Sequence, residues 1–331
     1  PELLGAPETR PQAESDRLKV VLCEGNEAAA LGVALARPDM VAVYPITPQS
    51  SLVEHIATLI ADGRMDADIV DAEGEHSVLS VLQGGALAGG RTYTATCGPG
   101  LAFMFEPYFR TSGMRLPIVM SIVTRDGITP QSVWGGHQDA MTVREVGWVQ
   151  MYCESVQEVL DTTVMAFKIA EHHDVMLPVN VCLDGNYLSY GTSRVELPNQ
   201  EDVDAFMGVK DVNWHVALDP LRPMAVDPLT GGSGGKGPST FVRYRKGQCR
   251  GMQNSLRVIE ETSRVSGSAM GRASSTCSRT WLSTSVEFRV WTRESRSCCC
   301  STQGSLAIAP VALSDPSSEN FSVTLPSWIC A

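Results

Sequence analysis

The chain has 331 residues, enough for one large domain or two ordinary ones, and 43% of them are hydrophobic, so a sizeable core can be buried. A formal net charge of −11 argues against nucleic acid or an anionic membrane surface as the main partner. No apolar run approaches the roughly 18 residues of a membrane span, and the polar stretch 1–17 lacks the apolar centre of a signal peptide; a flexible N-terminal arm and a cytoplasmic setting are the expectation.

From residue 18 to 183 apolar strands alternate with helices. The run 18–23 predicts a strand, broken at Gly25-Asn26, and the alanine-rich run 27–36 predicts a helix of strong formers. A second strand at 40–44 runs into Tyr44-Pro45-Ile46-Thr47-Pro48, where two prolines fix φ, and then into an amphipathic helix at 51–61. A short strand at 68–70 precedes a helix at 74–88. The β-branched strand 92–96 ends at Cys97-Gly98-Pro99-Gly100 and is followed by a helix at 101–109. A strongly apolar strand at 117–124 leads into a long loop, 125–137, of a length that tends to be functional. A strand at 148–153, a helix at 156–172 and a strand at 177–183 complete the series. This alternation predicts an α/β fold: a three-layer parallel sheet with helices on both faces.

Beyond residue 188 the periodicity fades. Prolines punctuate 198–228, 231–235 reads as a flexible Gly/Ser linker, 240–244 as an edge strand and 252–261 as the start of a helix. We therefore expect the sheet domain at 18–190, and an extended linker with the start of a second domain at 191–261. From 262 to 331 the text is serine-rich, its basic residues are all arginine, and Cys298, Cys299 and Cys300 stand together. It carries no sustained period; it is either the product of a shifted reading frame in GC-rich coding DNA, which gives text of this kind, or a genuine low-complexity tail.

Three residues stand just past the carboxyl ends of three presumed strands, where open α/β sheets bind ligands. Thr47 offers a hydroxyl in the proline-flanked turn. Glu73 and Glu75 flank Gly74; either could serve the positive end of the following helix, or be a carboxyl held against a heteroaromatic nitrogen, since burial disfavours a charged carboxylate and lets it share a proton. Arg125 offers a fork that fits a carboxylate in two places, or else pairs with a neighbour such as Asp126. The turn 97–100 is either a tight turn or a place of close backbone approach to a ligand. It is no dinucleotide fingerprint, because Phe103 stands where the last glycine belongs.

Other chemistry finds less support. Cys23, Cys97, Cys153 and Cys182 sit singly in apolar contexts and read as small buried hydrophobes. The remaining six of ten cysteines show no C-x-x-C pair, so no metal or cluster is expected on this chain. Gly237 spoils a P-loop at Gly235-Lys236, and 231–235 lacks the strand a nucleophile elbow requires. His137, His172 and His173 read as loop or surface histidines without ligand partners at useful spacing. No Asp/Asn set for a magnesium–diphosphate site stands out.

Taken together, Gly25-Asn26-Glu27-Ala28, Tyr44-Pro45-Ile46-Thr47-Pro48, Glu73-Gly74-Glu75-His76-Ser77, Tyr93-Thr94-Ala95-Thr96, the run 147–155 and Leu183-Asp184-Gly185 resemble the α subunit of 2-oxoacid:acceptor oxidoreductases. This is the thiamine-diphosphate family that includes pyruvate:ferredoxin oxidoreductase. The resemblance covers about 18–261, and the run 238–247 looks like the NAD-reducing, CoA-acylating branch that acts on phenylglyoxylate. It implies that Glu75 hydrogen-bonds the aminopyrimidine of thiamine diphosphate, favouring the imino tautomer that takes the thiazolium proton. It implies that Thr47 and Arg125 hold the substrate carboxylate, and that Pro45, Thr96 and Gly98 line the cofactor. It further implies a multi-subunit enzyme: a β subunit carrying the diphosphate and Mg2+ motif, γ and ferredoxin-like subunits with iron–sulfur clusters, and an FAD-bearing, NAD-reducing flavoprotein. CoA would take the acyl group. The alternatives are the same chemistry on pyruvate or another 2-oxoacid with ferredoxin as acceptor, and a non-catalytic scaffold subunit.

Overall fold

A computed structural model of the protein describes residues 19–127, 132–210, 221, 240–269 and 281–282. In chain order the elements are β1 (Lys19–Cys23), α1 (Gly25–Ala36), β2 (Met40–Val43), α2 (Ser50–Ala61), β3 (Asp68–Asp71), α3 (Glu75–Leu87), β4 (Thr92–Thr96), α4 (Gly98–Phe103), α5 (Phe105–Gly113), β5 (Val119–Thr124), α6 (Gln138–Thr142) and β6 (Val149–Tyr152). Then follow α7 (Val156–Glu171), β7 (Val179–Asp184), β8 (Ser193–Leu197), α8 (Gln200–Met207), α9 (Thr240–Ala269) and the two-residue β9 (Trp281–Leu282).

Strands β2 to β7 form one parallel sheet in the order β3-β2-β4-β5-β7-β6, with β9 antiparallel on β6. Successive strand residues point to opposite faces, and each face is covered. Val41, Val43, Tyr93, Ala95, Val119, Val123, Val181 and Leu183 pack with α1, α2 and α7 in one core. Ala42, Met120, Ile122 and Cys182 pack with α3, α4 and α5 in the other. Burial on both faces is why β4 and β5 are buried at every position, and it gives the three layers expected from the sequence. Helix α7 starts on Ser155, whose hydroxyl accepts the Glu158 N–H, and runs beneath the sheet with all but four of its residues buried. At its far end Glu171 takes Arg91 in a two-pronged pair (2.6 and 2.7 Å) with both side chains about nine-tenths buried.

Three expectations are corrected. The first strand is not part of the parallel sheet. It pairs antiparallel with β8, Lys19 opposite Leu197 through Cys23 opposite Ser193, in a separate two-stranded ribbon that leaves Val20 and Leu22 exposed. An apolar run reads alike whether one or both faces are covered, which is why its placement was not visible locally. The run 240–244 is not an edge strand but the first part of a 30-residue helix, α9. Its β-branched start is overridden by packing further along: Gln248 donates to Ser112 Oγ and Val146 O, Gly251 lies against Val175 O, and Val258 and Ile259 join the core. The helix also carries regular structure past residue 261 to Ala269. Of the segment 191–261, β8 pairs with β1, α8 packs on α1, and α9 packs on α7. The expected arm 1–17, the linker 231–235 and the frame-shift reading of the rest of the tail lie outside the described residues, apart from the short β9.

The thiols of Cys23, Cys97 and Cys182 are buried as expected, whereas Cys153 is only half-buried. His172 and His173 do have an acid nearby: their ring nitrogens and the Asp174 carboxylate lie within 4.8 Å of one another. That carboxylate is already engaged by Arg257 at 2.6 Å, which puts a fixed positive charge where a cation would have to sit.

Candidate active site

The crevice opens where the sheet changes direction. Chain order runs from β2 outward to β3 and then back across to β4, and β2 and β4 pair only at Met40–Thr92 and Val41–Tyr93. Their carboxyl ends diverge beyond that point, as is usual at a topological switch point. The side chain of Gln49 bridges the gap, its Nε2 donating to Ala95 O (3.0 Å) while its Oε1 accepts Ile46 N–H (3.2 Å). Asn26, at the start of α1, fixes the other side of the Thr47 turn by donating to Pro48 O and Ser51 Oγ, each at 2.8 Å. The Thr47–Pro48 peptide is cis.

Thr47 and Arg125 meet. Arg125 is 4% exposed, and its Nη1 donates to the Thr47 carbonyl at 2.8 Å. The Cys97 thiol donates to the same carbonyl at 3.1 Å. Arg125 Nε is buried with no partner, so part of the guanidinium fork is unused. The alternative of a surface ion pair with Asp126 does not hold: among the described residues no carboxylate pairs with the Arg125 side chain, and Asp126 instead donates its N–H to Trp134 O. Thr47 itself is exposed, and its hydroxyl makes no hydrogen bond among the described residues. Pro45 stands exposed at the start of the turn.

Burial separates the two glutamates. Glu73 is exposed and accepts the Ser77 hydroxyl at 2.6 Å, a bond that lowers its pKa and makes it a helix-start acid. Glu75 is 7% exposed, and its carboxylate has no hydrogen-bond partner among the described residues. It faces Gly100, where an added Cβ would lie 2.6 Å from Glu75 Oε1 and 2.5 Å from Thr96 Oγ1; the Thr96 hydroxyl is buried and unpartnered too. Gly98 closes the arrangement. Its φ of +42° lies in the left-handed region, and a Cβ there would meet Arg125 Nε at 2.3 Å, so only glycine fits. The Cys97 thiol senses all of these groups: burial pushes it up to about 12, with Arg125 opposing and Asp139 and Glu75 adding to the rise. Glu75, Thr96, Gly98, Arg125 and the Thr47 turn thus cluster at the carboxyl edge of the sheet.

Asn26, Gln49 and Asp139 support this crevice and were not singled out as site residues by sequence reasoning. Asp139 is buried. Its Oδ2 accepts Gly98 N–H (2.8 Å) and Arg125 N–H (3.1 Å), and its Oδ1 accepts Ala140 N–H (2.7 Å). Burial raises its pKa, against the pull of those three N–H groups. No local pattern marks such a residue, because its partners are backbone amides far along the chain.

An unpartnered carboxyl and an unpartnered hydroxyl, side by side and packed tightly against Gly100, fit the polar edge of a heteroaromatic ring, and the partly free guanidinium fits a carboxylate. These residues therefore fit the aminopyrimidine part of thiamine diphosphate.

Comparison with known proteins agrees. The family model described as pyruvate flavodoxin/ferredoxin oxidoreductase, thiamine diphosphate-binding, matches residues 31–261. The α subunit of NADH-dependent phenylglyoxylate dehydrogenase from Aromatoleum evansii is 82% identical over 274 residues, covering 83% of this chain and 66% of that protein. Pyruvate synthase subunit PorA of Methanocaldococcus jannaschii is 42% identical over 243 residues, 73% of this chain and 61% of that protein. The chain thus spans no more than about two thirds of these relatives. Among solved structures, 2-oxoglutarate:ferredoxin oxidoreductase from Magnetococcus marinus superposes with a TM-score of 0.61 over 72% of this chain and 45% of that one; at 22% identity it speaks to the fold alone.

Proposed function

The chain belongs to the thiamine-diphosphate-binding family of pyruvate flavodoxin/ferredoxin oxidoreductases, and from that premise we propose that it is the α subunit of an enzyme that oxidatively decarboxylates phenylglyoxylate to benzoyl-CoA and CO2. Electrons pass through other subunits to NAD. The 82% identity to a phenylglyoxylate dehydrogenase subunit, against 42% to a pyruvate synthase subunit, favours the aryl substrate. Substrate profiling of the assembled complex tests that choice, and a clear preference for pyruvate would reverse it.

Thiamine diphosphate, when bound, supplies the electron sink that lets the bond to the departing carboxylate break. This chain contributes the acid and the carboxylate seat. Glu75, shielded from water, holds or yields a proton at the aminopyrimidine nitrogen. The Arg125 guanidinium, tied to the Thr47 carbonyl by one N–H, keeps donors over for the substrate carboxylate. The Thr47 hydroxyl adds a second donor from the rim. Holding the carboxylate in one orientation is worth up to several kcal/mol of the barrier, on the order of 7 at most. A second subunit supplies the diphosphate and Mg2+ contacts, which completes a site between chains.

The observation that carries this reading is a buried Glu75 with no internal partner among the described residues, set beside the unpartnered Thr96 hydroxyl. Glu75→Gln keeps the shape and removes the carboxylate. In the assembled complex it is expected to lower turnover by about 100-fold or more while assembly stays intact. Near-normal turnover by that variant rejects the assignment.

A further inference from the structure

We propose that Asp139 is a positioning residue for the 2-oxoacid site, one that acts through the backbone to hold Arg125 and the Gly98–Gly100 turn in register with each other. This rests on the functional reading above. The β4–β5 ladder ends at Thr96 opposite Ile122, so no rung of it joins Gly98 to Arg125. A single oxygen, Asp139 Oδ2, replaces it by accepting both Gly98 N–H and Arg125 N–H. The second oxygen is anchored on Ala140 N–H, which fixes the carboxylate's rotation.

What depends on this staple is spatially narrow. Gly98 lies so close to the Arg125 guanidinium that no Cβ fits between them, and two residues on Gly100 faces Glu75 and Thr96. A shift of Gly98 relative to Arg125 therefore moves the carboxylate seat against the acid. All three acceptor contacts of Asp139 go to backbone, so it works through its neighbours. Asparagine cannot stand in. Whichever way its amide turns, an NH2 faces either the Gly98–Arg125 pair or Ala140 N–H, and a buried donor is left without an acceptor.

The test uses the assembled complex carrying Asp139→Asn, with Asp139→Glu as the second variant, which keeps the charge but moves it out by one methylene. The KM for the 2-oxoacid is expected to rise about tenfold while the KM for coenzyme A stays at the wild-type value. Because Asp139 acts through Arg125, combining D139N with R125K is expected to cost less than the product of the two single effects. Amide hydrogen exchange in peptides spanning 97–100 and 125–126 is expected to quicken about tenfold or more, with α7 unchanged. An active variant with a wild-type KM for the 2-oxoacid overturns the proposal, whatever its exchange rates, and so do fully multiplicative effects in the double variant. A wild-type complex that turns over no 2-oxoacid is a different result: it removes the functional reading, and this proposal with it.

Discussion

Replacing Gly100 with alanine asks whether the position of the Glu75 carboxylate matters. The new methyl would lie 2.5 Å from Thr96 Oγ1, 2.6 Å from Glu75 Oε1 and 3.0 Å from Glu75 Cγ. The carboxylate and the Thr96 hydroxyl would each have to retreat by about 0.8–0.9 Å to reach the 3.4 Å of ordinary contact. The backbone does not object: Gly100 lies in α4 without a left-handed φ, and alanine is the better helix former by about 1 kcal/mol. The fold is thus expected to survive while the acid is displaced by nearly an ångström, an error that costs on the order of 100-fold in rate. The assay is kcat/KM for phenylglyoxylate in the assembled complex, beside calorimetric titration with thiamine diphosphate. Gly84→Ala is the control. It lies exposed in α3, and an added methyl there meets nothing within 4 Å. It should raise stability by about 0.5–1 kcal/mol and leave activity unchanged. A Gly100→Ala complex with wild-type kcat/KM and cofactor affinity refutes the placement of the ring against Glu75.

Two further outcomes concern the body of the fold. Arg91→Ala leaves Glu171 as an unpaired, largely buried charge, and is expected to cost about 3–5 kcal/mol in a denaturant titration; a loss below about 1 kcal/mol would show the pair to be solvated. The buried Cys97 thiol is held up to about 12 from its ordinary value of 9.0. A raised pKa in the folded state means that its contribution is whole below pH 9 and is lost as pH climbs from 9 toward 12, at up to about 1.4 kcal/mol per unit. The urea midpoint should therefore fall more steeply between pH 8.5 and 10.5 in the wild type than in Cys97→Ala, and equal slopes would refute the argument.

The sheet was legible because a strand buried on both faces is mostly apolar, as 119–124 is apart from Ser121 and Thr124, and such strands followed by helices leave few arrangements. The meeting of Thr47 with Arg125 was legible for the same reason: in a parallel sheet all carboxyl ends share one edge. Distinguishing Glu75 from Glu73 was not, since the two differ only in which one the helix turns inward. The part played by Asp139 was hidden more deeply. Its partners are amide groups 14 and 41 residues away, and any amide looks like any other in a sequence. Helix α9 was misread at 240–244 because its apolar stripe is completed only by Val258 and Ile259, well beyond a local window.

The ribbon of β1 and β8 has a consequence for how the chain comes off the ribosome. Cys23 and Ser193, its inner ends, stand some 170 residues apart. Closing so long a loop is entropically slow, and it brings no reward until the intervening sheet exists to hold the two ends near each other. Until β8 emerges, β1 is therefore an unmatched edge, the kind of segment chaperones grip and neighbouring nascent chains adhere to. Among the described strands it is made first, and its partner β8 is made only after β2 to β7.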